Sequence, residues 1–439
     1  MFKKLNSLFI QLTFILACFP ILSFKIRSLV TILWSLIGII LFFNNKTKKK
    51  LKIDIWSFLL PFLFLCFSLI YSKNLQYGFA LLLKMLSLII FPFIFYLHRN
   101  LFIGKTIKRI LYLFVFSVLF LVIFQMIQVF IDFEYLNQNI TLNEIKINGF
   151  NSMSEISQSK LEQIRIRRFR NFIIEKSNTH PTYQAMWIVF ALYVLLSKAL
   201  KLKGLLIKCL MLLVLLVLSV WLYFLSARMP LIAMFLSLSL TLFIFFKHTK
   251  KKKLIFGLTI PLLLILLMFF KNPFSTRIKE YHQNGFSIPK EKFNSKNFNS
   301  SNVRNGVYFC DFNLIKRNYI KGVGVGDIQD KLNDCYFSEV RAKVYTWRDY
   351  NSHNQYAFFW ISSGVFGLLF FLFLIIFLLY NSLRKKNSIL FFLICFVSLI
   401  FLSENILERS DGVVFFSFFI ALLYFNNLKE NNISKPLLE

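Results

Sequence analysis

Charged residues are scarce in this chain of 439 residues. Asp, Glu, Lys and Arg make up 16% of it, whereas hydrophobic residues make up 57% and aromatic residues 18%. A water-soluble domain could not bury that much apolar surface, so the composition excludes one. Apolar stretches of roughly 18 or more residues recur along the whole length, each long enough to cross a ~30 Å hydrocarbon core as a helix. The sequence predicts an all-α polytopic membrane protein, with residues 1–439 forming one domain.

Acidic residues are the scarcer of the two charge signs. The chain has 20 Asp and Glu against 52 Lys and Arg, which gives a formal net charge of +32. This excess does not indicate nucleic-acid binding, because most of the basic residues fall in short connections between apolar stretches, as membrane topology requires. We therefore expect membrane lipids as partners and no nucleic acid.

Twelve membrane spans are predicted from the apolar stretches. Their approximate bounds are 5–24, 28–43, 53–71, 77–97, 110–131, 181–197, 205–225, 229–246, 254–270, 354–380, 388–403 and 411–427.

Basic residues cluster in every second connection, for example at Lys46 to Lys52, Lys247 to Lys253 and Arg384 to Lys386. The positive-inside rule places these connections in the cytoplasm, together with both termini. The first span lacks a small-residue cleavage site, so we expect it to be retained rather than removed as a signal peptide.

Two of the outward-facing connections are long, at 133–179 and 271–353. The second is the only segment large enough for a small extramembrane subdomain. Cys310 and Cys335 both lie in it, in what should be an oxidising compartment. A disulfide between them and a pair of free thiols are both compatible with the sequence.

A polar cluster, Asn351 to Tyr356, lies where the second long connection meets the apolar run 357–380. A lone histidine is more often structural than catalytic. His353 differs because it lies at the outer entrance of a span, between polar neighbours that include Asn354 and Tyr356. An imidazole suits a general base at neutral pH, so we predict that His353 is catalytic.

Arginines on the outer face run against the positive-inside bias. Arg228 lies in the tight turn between two spans, and Arg304 and Arg277 lie in the second long connection. Such an arginine either snorkels to lipid headgroups or binds an anion, since a guanidinium presents a fork of donors suited to phosphate. The first long connection carries four more at Arg165, Arg167, Arg168 and Arg170, for which contact with anionic lipid and contact with a phosphorylated substrate both remain open.

Other polar residues of the outer connections have simpler interpretations. His180 precedes a span and serves either local capping or substrate contact. The run Gly322 to Asp327 lacks the strand and helix of a dinucleotide site and predicts a tight, backbone-exposed turn. Asp327, Asp330 and Asp334 do not have the spacing of a calcium loop or of a metal-dependent glycosyltransferase pair. We expect no metal and no cofactor.

A base and arginines on the outer face indicate a particular donor. Nucleotide sugars and ATP are cytoplasmic, whereas a lipid-linked diphosphate is available outside and its diphosphate is already a good leaving group. Arginines can neutralise the charge that develops on it, and one base can activate an acceptor hydroxyl. The pattern favours direct glycosyl transfer with inversion at the anomeric carbon.

Four motifs, in this order and topology, carry a family resemblance. They are Ser226-Ala227-Arg228; Arg304 followed by the glycine run; His353 to Tyr356 leading into a helix with Gly364 and Gly367; and Ser403 to Arg409 before an aromatic final span. In these the chain resembles the O-antigen ligase/polymerase family of bacterial membrane glycosyltransferases.

The resemblance implies a GT-C-like fold and metal- and ATP-independent transfer of a glycan from undecaprenyl diphosphate to an acceptor hydroxyl, such as one on lipid A-core. It places the protein in the bacterial inner (plasma) membrane, with the long connections in the periplasm. On matching positions, His353 activates the acceptor, Arg228, Arg304 and Arg277 bind the donor diphosphate, and Asn354, Tyr356, His180 and Glu404 support them.

Other functions remain open at this stage. Polymerases of surface polysaccharide and protein O-oligosaccharyltransferases share these motifs. A transporter or flippase for lipid-linked sugars would place polar residues and broken helices near the bilayer midplane. The predicted spans are mostly free of such residues, with Lys84, Gln125 and Gln128 as the main exceptions, which favours chemistry at the membrane surface.

Overall fold

The structure is a computed structural model that describes residues 2–44, 53–147, 152–156, 158–199, 204–245, 287–289 and 300–426. Within these residues all regular secondary structure is helical. The predicted all-α class is confirmed for this part of the chain.

The longer helices, in chain order, are α1 Phe2–Ala17, α2 Phe24–Phe43, α3 Ile53–Leu69, α4 Leu75–Met85, α5 Ser87–Leu97, α6 Gly104–Ile131, α7 Phe133–Asn137, α8 Leu142–Ile147, α9 Gln158–Ser177, α10 Pro181–Ala199, α11 Leu205–Phe224, α12 Arg228–Phe245, α13 Ser300–Arg317, α14 Ile328–Cys335, α15 Gln355–Arg384, α16 Ser388–Ile400 and α17 Ser410–Phe425. A π-helical turn follows α14 at Tyr336–Val340, and 3₁₀ turns lie at Lys343–Thr346 and Ile406–Glu408.

Among the described residues, six helical segments are long and apolar enough to cross a membrane. They are Phe24–Phe43, Leu75–Leu97, Gly104–Ile131, Leu205–Phe224, Arg228–Phe245 and Gln355–Arg384. Three shorter helices, Asp54–Leu69, Ser388–Ile400 and Ser410–Phe425, are apolar too. The chain is thus a polytopic membrane protein; the count of twelve spans stays a prediction, and the predicted span 254–270 lies outside the described residues.

The core of the bundle is centred on α17. Every residue from Gly412 to Phe425 is buried, as expected for a helix that is hydrophobic all round and surrounded by others. α17 packs along α5 and also contacts α10 and α16. Aromatic rings dominate these contacts; Phe419, for example, packs edge-on against Phe114 with ring centroids 4.6 Å apart. Each such pair stabilises the packing by about 0.5–1.5 kcal/mol beyond its buried area.

The two long connections contain helices that hydropathy does not reveal, because these helices are polar. The first connection holds α7, α8 and α9, and the second holds α13 and α14. A disulfide between Cys310 and Cys335 joins α13 to the end of α14. Of the two possibilities that the sequence left open, a disulfide and two free thiols, the structure contains the disulfide.

α15 is broken two turns after it begins. Ser363 and Gly364 leave helical geometry, and Gly364 has a φ of 71° and a ψ of −169°, a region that only glycine occupies readily. Three backbone bonds fill the break, two to the glycine run and one to Tyr319. Val323 N–H donates to the Ile361 carbonyl at 2.7 Å, and Gly324 N–H donates to the Ser362 carbonyl at 3.0 Å. Val365 N–H donates to the Tyr319 carbonyl at 3.0 Å.

The expectation of a backbone-exposed glycine turn is wrong on this point. Gly322 and Gly324 have φ of 74° and 96°, so the tight turn is present, but Gly324 and Gly326 are buried. The backbone groups that the break in α15 exposes need partners, because unpaired polar groups near hydrocarbon are costly. The glycine run supplies them, since a backbone without side chains can approach that closely.

Asp327 anchors the end of the glycine run to the connection between α3 and α4. Its carboxylate accepts hydrogen bonds from the backbone N–H groups of Lys73 at 2.9 Å and Asn74 at 2.7 Å. Asp330 accepts from the Asn74 side chain at 2.9 Å, and Asp334 pairs with Lys331 at 3.2 Å. Asp327 and Asp330 therefore hold the second long connection on the bundle, whereas the Asp334 pair lies within α14.

Candidate active site

The start of α15 and the end of α16 meet at one end of the bundle. Gln355 N–H donates to the Phe401 carbonyl at 2.8 Å, and the Gln355 side chain accepts from Leu407 N–H at 2.9 Å. This holds the turn that carries His353 against the 401–409 connection. α13 packs against α15. Three segments far apart in sequence thus converge here.

Glu404 bridges Arg304 and His353. Arg304 Nη2 on α13 lies 2.8 Å from Glu404 Oε1, and His353 Nδ1 lies 3.6 Å from Glu404 Oε2. The three side chains are 23–27% exposed, so a ligand can reach them. The structure therefore brings together the predicted base, one predicted anion-binding arginine and a predicted supporting carboxylate.

Glu404 is ionised over the physiological pH range. Burial raises the pKa of Glu404, but the His353 imidazole and the Arg304 guanidinium outweigh that effect and hold it at about 2. A carboxylate beside Nδ1 favours the imidazole tautomer that carries its proton there. Nε2 is then the nitrogen that can accept a proton.

A hydrogen-bonded network sets the position of the His353 backbone. His353 has a φ of 46°, which is rare for a residue with a side chain, and its N–H donates to Asn351 Oδ1 at 3.2 Å. Asn351 donates to Glu408 at 3.0 Å, and Asn405 donates to Glu408 at 2.6 Å and to Ser352 at 2.8 Å. The strained turn is thus held by side chains of the 401–409 connection.

Asn354 and Tyr356 have structural roles. Asn354 is the N-cap of α15, where its side chain accepts from Tyr356 N–H at 2.9 Å and from Ala357 N–H at 3.1 Å. The Tyr356 hydroxyl donates to the Ser398 carbonyl at 3.0 Å and so ties α15 to α16. Both support the site by fixing the helix that follows His353.

Arg228 lies at the same end of the bundle. It is the first residue of α12, which packs against α16. Phe245 at the end of α12 contacts Phe391 near the start of α16, with ring centroids 5.4 Å apart, so the two helices are antiparallel. The first residue of α12 therefore lies toward the end of α16, where the 401–409 connection begins. Arg277 lies outside the described residues.

His180 caps the first turn of α10. Its Nδ1 accepts a hydrogen bond from Thr182 N–H at 3.3 Å, in agreement with the capping interpretation. Surrounding protein atoms, followed by the charge of Arg170, lower the pKa of His180 to about 4, and Glu404 acts in the opposite direction. His180 is therefore neutral at pH 7 and lies within electrostatic range of Glu404.

Three of the four arginines of α9 differ in their surroundings. Arg168 is buried and structural: it pairs with Glu144 at 2.6 Å, and its guanidinium also donates to backbone carbonyls between α7 and α8, including that of Gln138 at 2.8 Å. Arg170 interacts electrostatically with Glu404 and Arg304. Arg165 is exposed. Neither the lipid nor the substrate interpretation applies to Arg168.

Sequence reasoning missed how residues around the site cooperate. Glu408 and Asn405 follow Glu404 in the same motif, and Asn351 precedes His353 by two residues; their nearness in sequence was the available signal. For Arg170 the only available signal was its positive charge, which is unusual in a connection predicted to face outward. Among the described residues, no group of three or more His, Cys, Asp or Glu side chains is arranged to hold a metal ion.

Comparison with known protein families shows that residues 212–372 match a family model described as O-antigen ligase. A search of curated proteins finds no match. The matched segment contains Arg228, Arg304 and His353, whereas Glu404 lies beyond it. The chain therefore carries an O-antigen ligase family segment at residues 212–372, and the family resemblance drawn from its sequence is confirmed there.

Proposed function

We propose that this protein transfers a glycan from undecaprenyl diphosphate to an acceptor hydroxyl at the outer face of the bacterial inner membrane, as an O-antigen ligase. The observation that carries the proposal is the bridge formed by Glu404, which lies 2.8 Å from Arg304 and 3.6 Å from His353. A base and an anion-binding group are thereby held side by side, as transfer from a diphosphate donor requires.

The reaction follows from the roles of these groups. The acceptor hydroxyl gives its proton to His353 Nε2 while its oxygen attacks the anomeric carbon from the face opposite the diphosphate. The bond between that carbon and the diphosphate oxygen breaks, and both electrons leave with the lipid diphosphate. Attack from the opposite face inverts the anomeric centre. No metal, ATP or other cofactor takes part in this scheme.

The charges in the site favour the transition state over the ground state. Negative charge grows on the leaving diphosphate, where the Arg304 guanidinium and, in this proposal, Arg228 and Arg277 would neutralise it. Positive charge grows on the imidazole, and the Glu404 carboxylate stabilises it. Asp stabilises His in the same way in hydrolases that use a Ser-His-Asp triad.

The alternatives differ in acceptor or in overall activity. A polymerase would use a second lipid-linked glycan as acceptor, and a protein O-oligosaccharyltransferase would use a protein hydroxyl. A flippase is disfavoured, even though α15 is broken as transporter helices often are. Backbone N–H groups of the glycine run bond to the Ile361 and Ser362 carbonyls at the break, so these two carbonyls are already paired rather than open to a substrate.

A deletion strain complemented with variants tests the proposal. His353→Ala and Arg304→Gln should each abolish surface glycan transfer while the membrane level of the protein stays normal. Arg317→Gln is the matched control for Arg304→Gln, because Arg317 is also on α13 but is exposed and pairs with Glu339. Full transfer by His353→Ala would refute its role as base.

The same strain separates ligase from polymerase. Without the protein, acceptor lipid that carries no polymer indicates a ligase. Acceptor lipid that carries a single repeat unit indicates a polymerase. Unchanged surface lipid combined with loss of glycan from proteins would identify a protein O-oligosaccharyltransferase.

A further inference from the structure

The turn that carries His353 is fixed at both of its ends. On one side, the carbonyl of the buried Tyr350 accepts from the Gln329 side chain at 3.1 Å and from the Tyr336 hydroxyl at 3.2 Å. On the other side, Asn354 caps α15. Of the residues from 350 to 354, only His353 has a positive φ, of 46°. The backbone strain of the turn therefore lies at the candidate base.

Glu408 is joined to this turn through two amide side chains. Glu408 Oε2 accepts from Asn351 Nδ2 at 3.0 Å, and Glu408 Oε1 accepts from Asn405 Nδ2 at 2.6 Å. Asn351 Oδ1 accepts from His353 N–H at 3.2 Å, and Asn405 Nδ2 also donates to Ser352 Oγ at 2.8 Å. Each amide thus makes one bond to Glu408 and one bond within the turn.

The carboxylate of Glu408 decides which way these amides point. An ionised carboxylate can only accept hydrogen bonds, so each amide must turn its NH₂ group toward Glu408. Asn351 is then left with its oxygen facing the His353 N–H, which needs an acceptor. A donor at position 408 would reverse one of the amides and remove a bond from the turn.

The direction of the imidazole depends on these bonds. His353 Nδ1 lies 3.6 Å from Glu404 Oε2. A residue with a side chain keeps a positive φ only where its surroundings hold it there. A turn that relaxes would move the ring away from the Glu404 carboxylate.

We propose that Glu408 is a positioning residue for His353. Its carboxylate sets the direction of the two amides, and the amides hold the turn in the conformation that points the imidazole at Glu404. The inference rests on the proposed function, because it concerns the imidazole that takes the proton of the acceptor. Glu404 contacts that imidazole directly, whereas Glu408 acts through Asn351 and Asn405.

A reciprocal exchange of acid and amide tests the proposal. Glu408→Gln keeps the shape of the side chain but adds a donor, so in either orientation of the new amide the turn loses a bond. Adding Asn351→Asp to Glu408→Gln restores the match. The new glutamine then donates to the new aspartate, whose other oxygen accepts from the His353 N–H, and the net charge equals that of the wild type.

Reaction of His353 with diethyl pyrocarbonate reports the position of its ring without requiring glycan transfer. Mass spectrometry of the purified full-length protein in detergent measures the rate. Glu408→Gln should raise this rate about fivefold, because one lost hydrogen bond shifts a conformational equilibrium by about that factor. The exchange variant should return it to within about twofold of the wild type.

The same variants should change kcat but not KM in a transfer assay. The kcat should fall with Glu408→Gln and recover in the exchange variant, as the position of the base does. The KM for the donor should stay unchanged, because Arg304 takes part in none of these amide bonds.

Two controls separate positioning from a general loss of structure. Glu339→Gln is the matched variant, because Glu339 Oε2 accepts from Asn313 Nδ2 at 2.8 Å in the second half of α13, and it should leave the His353 rate unchanged. His98 is the internal control, since it is buried and its Nε2 donates to the Gly38 carbonyl at 2.7 Å. Its rate should not change in any variant.

Ser352→Ala tests the same network if Glu408→Gln does not fold. It removes only a hydroxyl group and breaks the bond from Asn405 to the turn, so it should also raise the His353 rate.

Two results would overturn the positioning role. One is an unchanged His353 rate in Glu408→Gln, or in Ser352→Ala where the first variant does not fold. The other is an exchange variant whose rate stays as high as that of Glu408→Gln. A His353 rate that follows the expected pattern, in a wild type that transfers no glycan, would support the positioning and refute the proposed function, so the two failures are distinct.

Discussion

Replacing Glu404 by Gln tests the coupling of base and arginine most directly. The amide keeps the size and shape of the side chain but removes its charge. In the proposed reaction the imidazole becomes positive, and the carboxylate 3.6 Å away stabilises that charge. Two full charges at this distance interact by roughly 4–5 kcal/mol at an effective dielectric constant of about 20.

The expected loss of activity is smaller than that figure. Glu404 and His353 are each about a quarter exposed, so water screens part of the interaction. A remaining loss of about 1.5–3 kcal/mol corresponds to roughly a 10- to 150-fold fall in kcat. The KM for the donor should not rise, because Arg304 loses its partner and becomes more available to an anion.

A detergent-solubilised transfer assay with a gel readout of the glycosylated acceptor measures kcat and KM. Glu339→Gln is the matched control, because Glu339 forms a comparable pair with Arg317, at 2.9 Å, away from the site. A Glu404→Gln enzyme that keeps more than half of its kcat would refute the reasoning.

Two further predictions concern the second long connection and its contact with α15. Removing the disulfide with Cys310→Ala and Cys335→Ala should lower the free energy of unfolding by about 3 kcal/mol, given the sequence separation of 25 residues. In thermal unfolding, reductant should lower the Tm of the wild type to that of the variant and leave the Tm of the variant unchanged. Gly364→Ala should destabilise the protein by more than about 3 kcal/mol, because the added methyl group would overlap the Ile320 carbonyl at a φ of 71°. Gly204→Ala is its control in the same unfolding measurement, since Gly204 has a φ of 95° but an added methyl group there would make only an ordinary contact, 3.9 Å from Ile207 Cδ1. An equal effect of the two variants would contradict the overlap.

The membrane helices could be predicted from the sequence because hydrocarbon imposes a length and an apolar composition on them. α6 and α15, for example, stand out by composition alone. α9 and α13 could not be found in this way, because they are polar helices that hydropathy does not distinguish from loop. The break in α15 was also invisible, since its run of apolar residues continues through Gly364, and the partners that fill it lie about 40 residues earlier in the chain.

The residues of the candidate site could be predicted from the sequence better than their arrangement. His353, Arg304 and Glu404 each stood in a recognisable motif, but only the fold shows that one carboxylate contacts both of the other side chains. Tyr350 carried no motif. Its ring lies 6.4 Å from the His353 ring, and its backbone carbonyl accepts hydrogen bonds from Gln329 and Tyr336. Local sequence patterns do not predict such long-range packing.

The backbone bonds between the glycine run and α15 have a mechanical consequence. His353 immediately precedes α15, and the glycine run follows α13, which carries Arg304. His353 and Arg304 are thus both attached to the first two turns of α15. If α15 tilts in a thinner or thicker bilayer, we expect the two side chains to move together and the distance between them to change little.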